Sequence, residues 1–138
     1  INEVEKSDII LLGVSRTSKT PTSIYLANKG YKTTNIPLVN NSSLPDILKK
    51  KPDDFCVIGL TTEAERLADI RKNRINSLKD TKNQEYTDLE NIKKEVNDAK
   101  ATFKKYRWPT IDVTRKSVEE TAASVIKIHE IYLNKKNV

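Results

Sequence analysis

The sequence predicts an α/β domain built on a mainly parallel sheet, and three observations carry that expectation. Asp8–Leu12 and Phe55–Leu60 are short apolar runs, too brief for helices and without the alternation of half-exposed strands, so both suit strands buried on two faces. Segments with helical spacing lie between such runs, and strand–helix–strand order implies parallel pairing through crossover helices. The length, 138 residues, suits one domain around one sheet, here taken as residues 1–138.

Taken in order, the first strand stops at Gly13, and a turn over Gly13–Lys19 leads into a helix over Thr20–Lys29. Pro21 falls in that helix's first turn, where a missing N–H does no harm, and Gly30 supplies its C-terminal stop. Tyr31–Ile36 reads as the second strand, Leu44–Lys50 as a short helix opened by Pro45, and Phe55–Leu60 as the third strand. A helical excursion over about 63–106 follows: Glu63–Lys79, a polar connection, then Thr87–Tyr106. In its second helix Leu89, Ile92, Val96, Ala99 and Phe103 recur at steps of three and four, with Thr87 and Glu90 as a capping box. Trp108-Pro109 breaks that helix, Thr110–Val113 forms a fourth strand, and Ser117 with Glu120 caps a last helix running to about Leu133.

Composition removes several classes of function. The single cysteine, Cys56, rules out an internal disulfide or a cysteine-rich zinc site, and the single histidine, His129, rules out a histidine cluster. Each is read as a core side chain. No apolar run nears the ~20 residues that span a bilayer and no signal peptide opens the chain, so a cytoplasmic protein without membrane association is expected. The chain starts at Ile1 and contains no Met, as a fragment of a longer protein would. Basic residues number 25 and acidic ones 19, a net charge of +6 that suits an anionic partner. They are interspersed, with only Lys49-Lys50-Lys51 clustered and no aromatic platform beside it, which argues against nucleic acid.

The turn after the first strand carries the chemistry. Gly13-Val14-Ser15-Arg16-Thr17-Ser18-Lys19-Thr20 matches G-x-x-x-x-G-K-S/T except at Ser18, where the second glycine would stand. Such a loop leaves a buried strand, wraps backbone N–H groups around phosphates and launches a helix whose positive end faces the same anion. Lys19 would reach the terminal phosphates and the Thr20 hydroxyl would help hold magnesium. The competing reading is an ordinary strand–helix turn with an incidental Lys and Thr. The third strand ends in Gly59-Leu60-Thr61-Thr62 without the Asp that many such proteins use for magnesium. Asp112, near the carboxyl end of the fourth strand, is a substitute at the sheet edge where ligands bind, or else pairs with a structural arginine.

A second constellation lies on the helix over Glu63–Lys79. Leu67, Ile70, Ile75 and Leu78 define one side at 100° per residue, and Arg71 and Arg74 fall inside that arc, with Arg66 at its edge. Guanidinium cannot shed its charge, so inward arginines meet either a carboxylate or a phosphate.

These residues resemble the bacterial bifunctional regulatory kinase/phosphorylases that act on pyruvate, phosphate dikinase or on phosphoenolpyruvate synthase. The resemblance runs through the loop at Gly13–Pro21, including Ser18, and through Ile24–Tyr31, Asn35–Val39 and Gly59–Thr61. It continues at Glu65–Leu67, Ile70, Arg71, Arg74, Trp108-Pro109, Ile111–Thr114 and Ser117–Ala122, covering nearly the whole chain. It implies a three-layer P-loop kinase-like domain whose enzyme uses ADP to phosphorylate a threonine of the dikinase, and uses inorganic phosphate to remove it with release of pyrophosphate. Gly13–Thr20 would bind the nucleotide, Thr20 the metal, and Lys19, Arg71, Arg74 and Asp112 would serve catalysis. The family's N-terminal region, about as long as this chain, is absent from it. Without the resemblance, a small-metabolite kinase and a non-catalytic nucleotide sensor fit the same residues.

Overall fold

A computed structural model describes residues 6–14, 17, 19–38, 44–70 and 89–136. In chain order the described elements are β1 (Ile9–Gly13), α1 (Lys19–Asn28), β2 (Thr33–Pro37), α2 (Asp46–Lys50) and β3 (Val57–Thr61). There follow α3, described over 64–70, then α4 (Leu89–Lys105), β4 (Thr110–Asp112) and α5 (Val118–Lys136). The polar connection expected near Asp80–Glu85 and the Thr87 cap lie outside the described residues. No described helix is long and apolar enough to cross a membrane.

The four strands form one sheet in the order β2-β1-β3-β4, every pair parallel. Period-two alternation divides each central strand between two cores. Ile10, Leu12 and Val57 face one layer with Leu48 of α2, Leu67 of α3, and Ile92, Val96 and Phe103 of α4. Ile9, Leu11, Ile58 and Leu60 face the other, with Leu26 of α1 and Ala122 and Val125 of α5. The result is a three-layer helix–sheet–helix sandwich. A strand covered on both faces has no polar side to show, which is why β1 and β3 are buried at every position.

Helix ends follow local rules. At the end of α1 the Tyr31 amide donates to Leu26 O at 3.0 Å and the Gly30 amide to Ala27 O at 3.0 Å, with Gly30 at φ 95°, a Schellman stop at the predicted glycine. The end of α4 uses the same bonds, Trp108 N to Phe103 O at 2.9 Å and Arg107 N to Lys104 O at 3.2 Å, with Arg107 at φ 58°. The helix therefore stops before Trp108-Pro109 instead of being broken by it. Trp108 is then fixed by donating its indole N–H to Pro52 O at 3.0 Å and by stacking on Tyr106. The start of α5 is the expected capping box: Glu120 N donates to Ser117 Oγ at 3.1 Å, and Ser117 N donates to Glu120 Oε1 at 3.2 Å. This helix runs past the expected end at Leu133, to Lys136, and Leu133 is 43% exposed.

Strand bounds differ from expectation by one or two residues, because apolar runs mark burial and pairing marks strands. Cys56, expected within β3, precedes it, though its carbonyl still accepts from Ile10 N at 2.8 Å. Burial pushes the Cys56 thiol up to about 11, so it stays protonated as a core side chain. His129 is also buried, edge-on to Tyr31 at 5.5 Å.

Gly59 sets how closely α4 approaches the sheet. A Cβ there would meet the Phe103 ring at 2.5 Å, so the ring lies directly on the strand backbone. Gly59→Ala is expected to destabilise the fold by about 1–3 kcal/mol through overpacking, measured by denaturant unfolding, with part of the loss recovered in a Gly59→Ala, Phe103→Leu double variant. Ser117→Ala should cost about 1 kcal/mol in the same assay without altering the slope of the transition.

Candidate phosphate-binding site

The carboxyl edge of the sheet gathers three chain segments: the loop after β1, the Thr61-Thr62 exit of β3, and Asp112–Thr114 at the end of β4. Open parallel sheets bind ligands along this edge. The loop begins with a close approach. A Cβ on Gly13 would stand 2.8 Å from Leu60 O and 2.8 Å from Thr17 Oγ1, so only glycine lets β1 end against β3 with the loop folded over it.

Thr17 braces that turn from within. It is fully buried, and its hydroxyl donates to Val14 O at 2.8 Å. Lys19, the first residue of α1, folds back across the loop. Its ammonium donates to Val14 O at 2.7 Å and to Thr17 Oγ1 at 3.2 Å, and the residue is only 8% exposed. The first turn of α1 carries no acidic residue, so the helix's positive end and the ammonium act in the same direction on an approaching anion. Thr20 follows Lys19 and is exposed. Ser15, Arg16 and Ser18 lie outside the described residues, as do Arg71 and Arg74; Arg66, within α3, is exposed.

Asp112 closes the other end of the edge. Its Oδ1 accepts from the Thr114 hydroxyl at 2.5 Å and from the Thr114 amide at 2.9 Å. Among the described residues no arginine is hydrogen-bonded to it. The Thr114 hydroxyl lowers the Asp112 pKa most; slight burial opposes it, and the Thr114 amide and the charges of Lys100 and Lys116 assist, so the group is held below its ordinary value as a carboxylate.

Among the described residues this turn brings together a glycine at a close backbone approach, a helix start and a buried ammonium. A cavity of about 750 Å³ at the opposite, amino edge, lined by Phe55, Trp108 and Tyr132 among others, is remote from these groups. The sequence reading placed Thr17 in the binding loop without its bracing role, and gave Thr114 no role at the site. The second had a readable signal, since an Asp followed two residues later by a bonding partner at a strand exit is an Asx turn.

A family model described as kinase/pyrophosphorylase matches residues 1–126. A pyruvate, phosphate dikinase regulatory protein of Pelagibacter ubique is 69% identical over 134 residues, which is 97% of this chain and 49% of that protein. Proteins of the same name from Streptococcus sanguinis and Erythrobacter litoralis are 57% and 51% identical, over 84% and 91% of this chain and 42% and 45% of their own lengths. The chain thus spans about half the length of the curated relatives it matches. With the family model matched across both cores and the whole carboxyl edge, the chain belongs to the kinase/pyrophosphorylase family.

Proposed function

We propose that this chain supplies the phosphate-handling centre of an ADP-dependent protein threonine kinase that also works as a phosphate-dependent phosphorylase, with pyruvate, phosphate dikinase as its protein substrate. The observation that carries the reading is Lys19 folded across the loop between β1 and α1, in a chain of the kinase/pyrophosphorylase family. The relatives' names support the dikinase as target. Phosphoenolpyruvate synthase, the other expected target, has no such support.

Both directions make one demand. In the first, a threonine hydroxyl oxygen of the target bonds to the outer phosphorus of ADP, the bond to the AMP oxygen breaks, and the hydroxyl proton is lost. In the second, an oxygen of inorganic phosphate bonds to the phosphorus of phosphothreonine, pyrophosphate leaves, and the threonine oxygen regains a proton. Negative charge on the equatorial oxygens is met each time by loop N–H groups and Lys19, so one anion cradle serves both. Asp112, held ionised, accepts the proton in the first direction and returns it in the second. Arg71 and Arg74 are assigned the outer phosphate oxygens, because their planar donors match that geometry. Thr20 is assigned to magnesium, which when bound screens charge between phosphates.

Full-length enzyme given phosphorylated dikinase and labelled inorganic phosphate is expected to release labelled pyrophosphate, and Lys19→Ala should lose this and the ADP-dependent kinase activity together. The loss should exceed the ~10-fold that one charge-assisted contact of about 1.5–3 kcal/mol sets as a minimum. Free phosphate as the sole product, or phosphorylase activity that survives in Lys19→Ala, would contradict a shared site. Arg71→Lys and Arg74→Lys should each lower turnover with little change in melting temperature; early melting with full specific activity of the folded fraction would make them structural partners instead.

A further inference from the structure

We propose that Thr114 is a positioning residue that fixes the Asp112 carboxylate and ties it to the start of α3. The inference rests on the reading of Asp112 as a working group of the site.

Hydrogen-bond accounting supports it. A threonine hydroxyl has one proton to donate and two lone pairs to accept with. The Glu63 amide, just ahead of α3, donates to Thr114 Oγ1 at 2.9 Å and occupies one lone pair. The 2.5 Å bond to Asp112 Oδ1 uses the proton, since an ionised carboxylate can only accept. The remaining contact, to Thr62 Oγ1 at 3.1 Å, must then be donated by Thr62. All three valences of one oxygen are engaged, so the hydroxyl cannot rotate without breaking its bonds to Asp112 and to the Thr62-Glu63 stretch.

Two chain segments meet at this atom: the stretch from the exit of β3 to the start of α3, through Thr62 and Glu63, and the exit of β4, through Asp112. Asp112 is exposed, and an exposed carboxylate left to itself would sample several rotamers. Here the amide and hydroxyl of a single residue both hold Oδ1, which sets the rotamer and leaves Oδ2 without a hydrogen bond among the described residues. Donation from Thr62 polarises the Thr114 hydroxyl toward the carboxylate, which strengthens the last bond of the relay. The α3 helix that begins at this clasp leads in sequence toward Arg71 and Arg74. A shift of Thr114 would therefore move the carboxylate and the helix start together.

The test is a double-mutant cycle in the full-length enzyme, read as ADP-dependent phosphorylation of the dikinase. Thr114→Val, which keeps the shape and removes the hydroxyl, is expected to lower kcat by about 10-fold or more, in line with the sensitivity of transfer to misplacement, while KM for ADP stays within about twofold. Thr114→Ser should recover most of the loss. In an Asp112→Asn background, adding Thr114→Val should change kcat by less than about twofold, because the group it positions is already gone. Thr62→Val removes only the outer link and should give a smaller loss in the same direction, so the inference does not depend on one variant folding. If Thr114→Val costs the same factor in the Asp112→Asn background as in the wild type, Thr114 acts apart from Asp112 and the inference falls while the role of Asp112 stands. If Asp112→Asn turns over at the wild-type rate, the reading of Asp112 falls and takes the inference with it.

Discussion

Everything at the carboxyl edge depends on the contact made by Gly13. At this residue β1 stops being a strand, lies against the Leu60 carbonyl of β3, and turns into a loop whose Thr17 hydroxyl closes over it. A methyl group at that point would push apart backbone that no side-chain rotation can relieve. The buried apolar pairing of β1 with β3 supplies the force that holds this approach, and the two cores on either face keep the strands from sliding. The candidate site is thus a by-product of tight packing: Gly13, Val14 and Thr17 are held in place because the strand beneath them cannot move.

The layers and the order of elements were legible in the sequence because burial writes itself into periodicity. Ile9 to Leu12 is apolar without a break since it serves both cores, and the α4 residues Ile92, Val96, Ala99 and Phe103 recur as a helix facing one core must. Gly30 and the Ser117–Glu120 pair were readable for a different reason, since helix ends leave unpaired backbone groups that few residue types satisfy. The stop at Arg107 was not readable, because a left-handed arginine carries no compositional mark and the neighbouring Trp108-Pro109 offered a plausible breaker.

At the candidate site, the loop motif gave Gly13 and Lys19, while the hydroxyls bonded to Lys19 and Asp112 did not stand out. Thr17 and Thr114 act through hydroxyls that bond to partners brought near by the turn of the chain. Threonine is common and its hydroxyl is satisfied in many ways, so spacing alone does not distinguish a brace from a surface residue. Asp112 was singled out from its place at a strand end, and among the described residues its hydrogen bonds come from the hydroxyl and amide of Thr114. Networks of neutral donors are the part of an active site that sequence patterns describe least well.

The sheet also acts as a gauge. Gly13 stands beside Leu60, and Leu60 is paired with Ile111, so the foot of the loop and the residue before Asp112 are separated by two interstrand spacings, about 9–10 Å. That width is set by backbone hydrogen bonds through β3 and cannot be tightened by rotating a side chain. It is close to the breadth of a single extended polypeptide strand with its side chains. That strand is β3 itself, whose exit at Thr62 and Glu63 is bonded to Thr114, so both margins are tied to one backbone. A change at one margin therefore reaches the other through the backbone of the sheet.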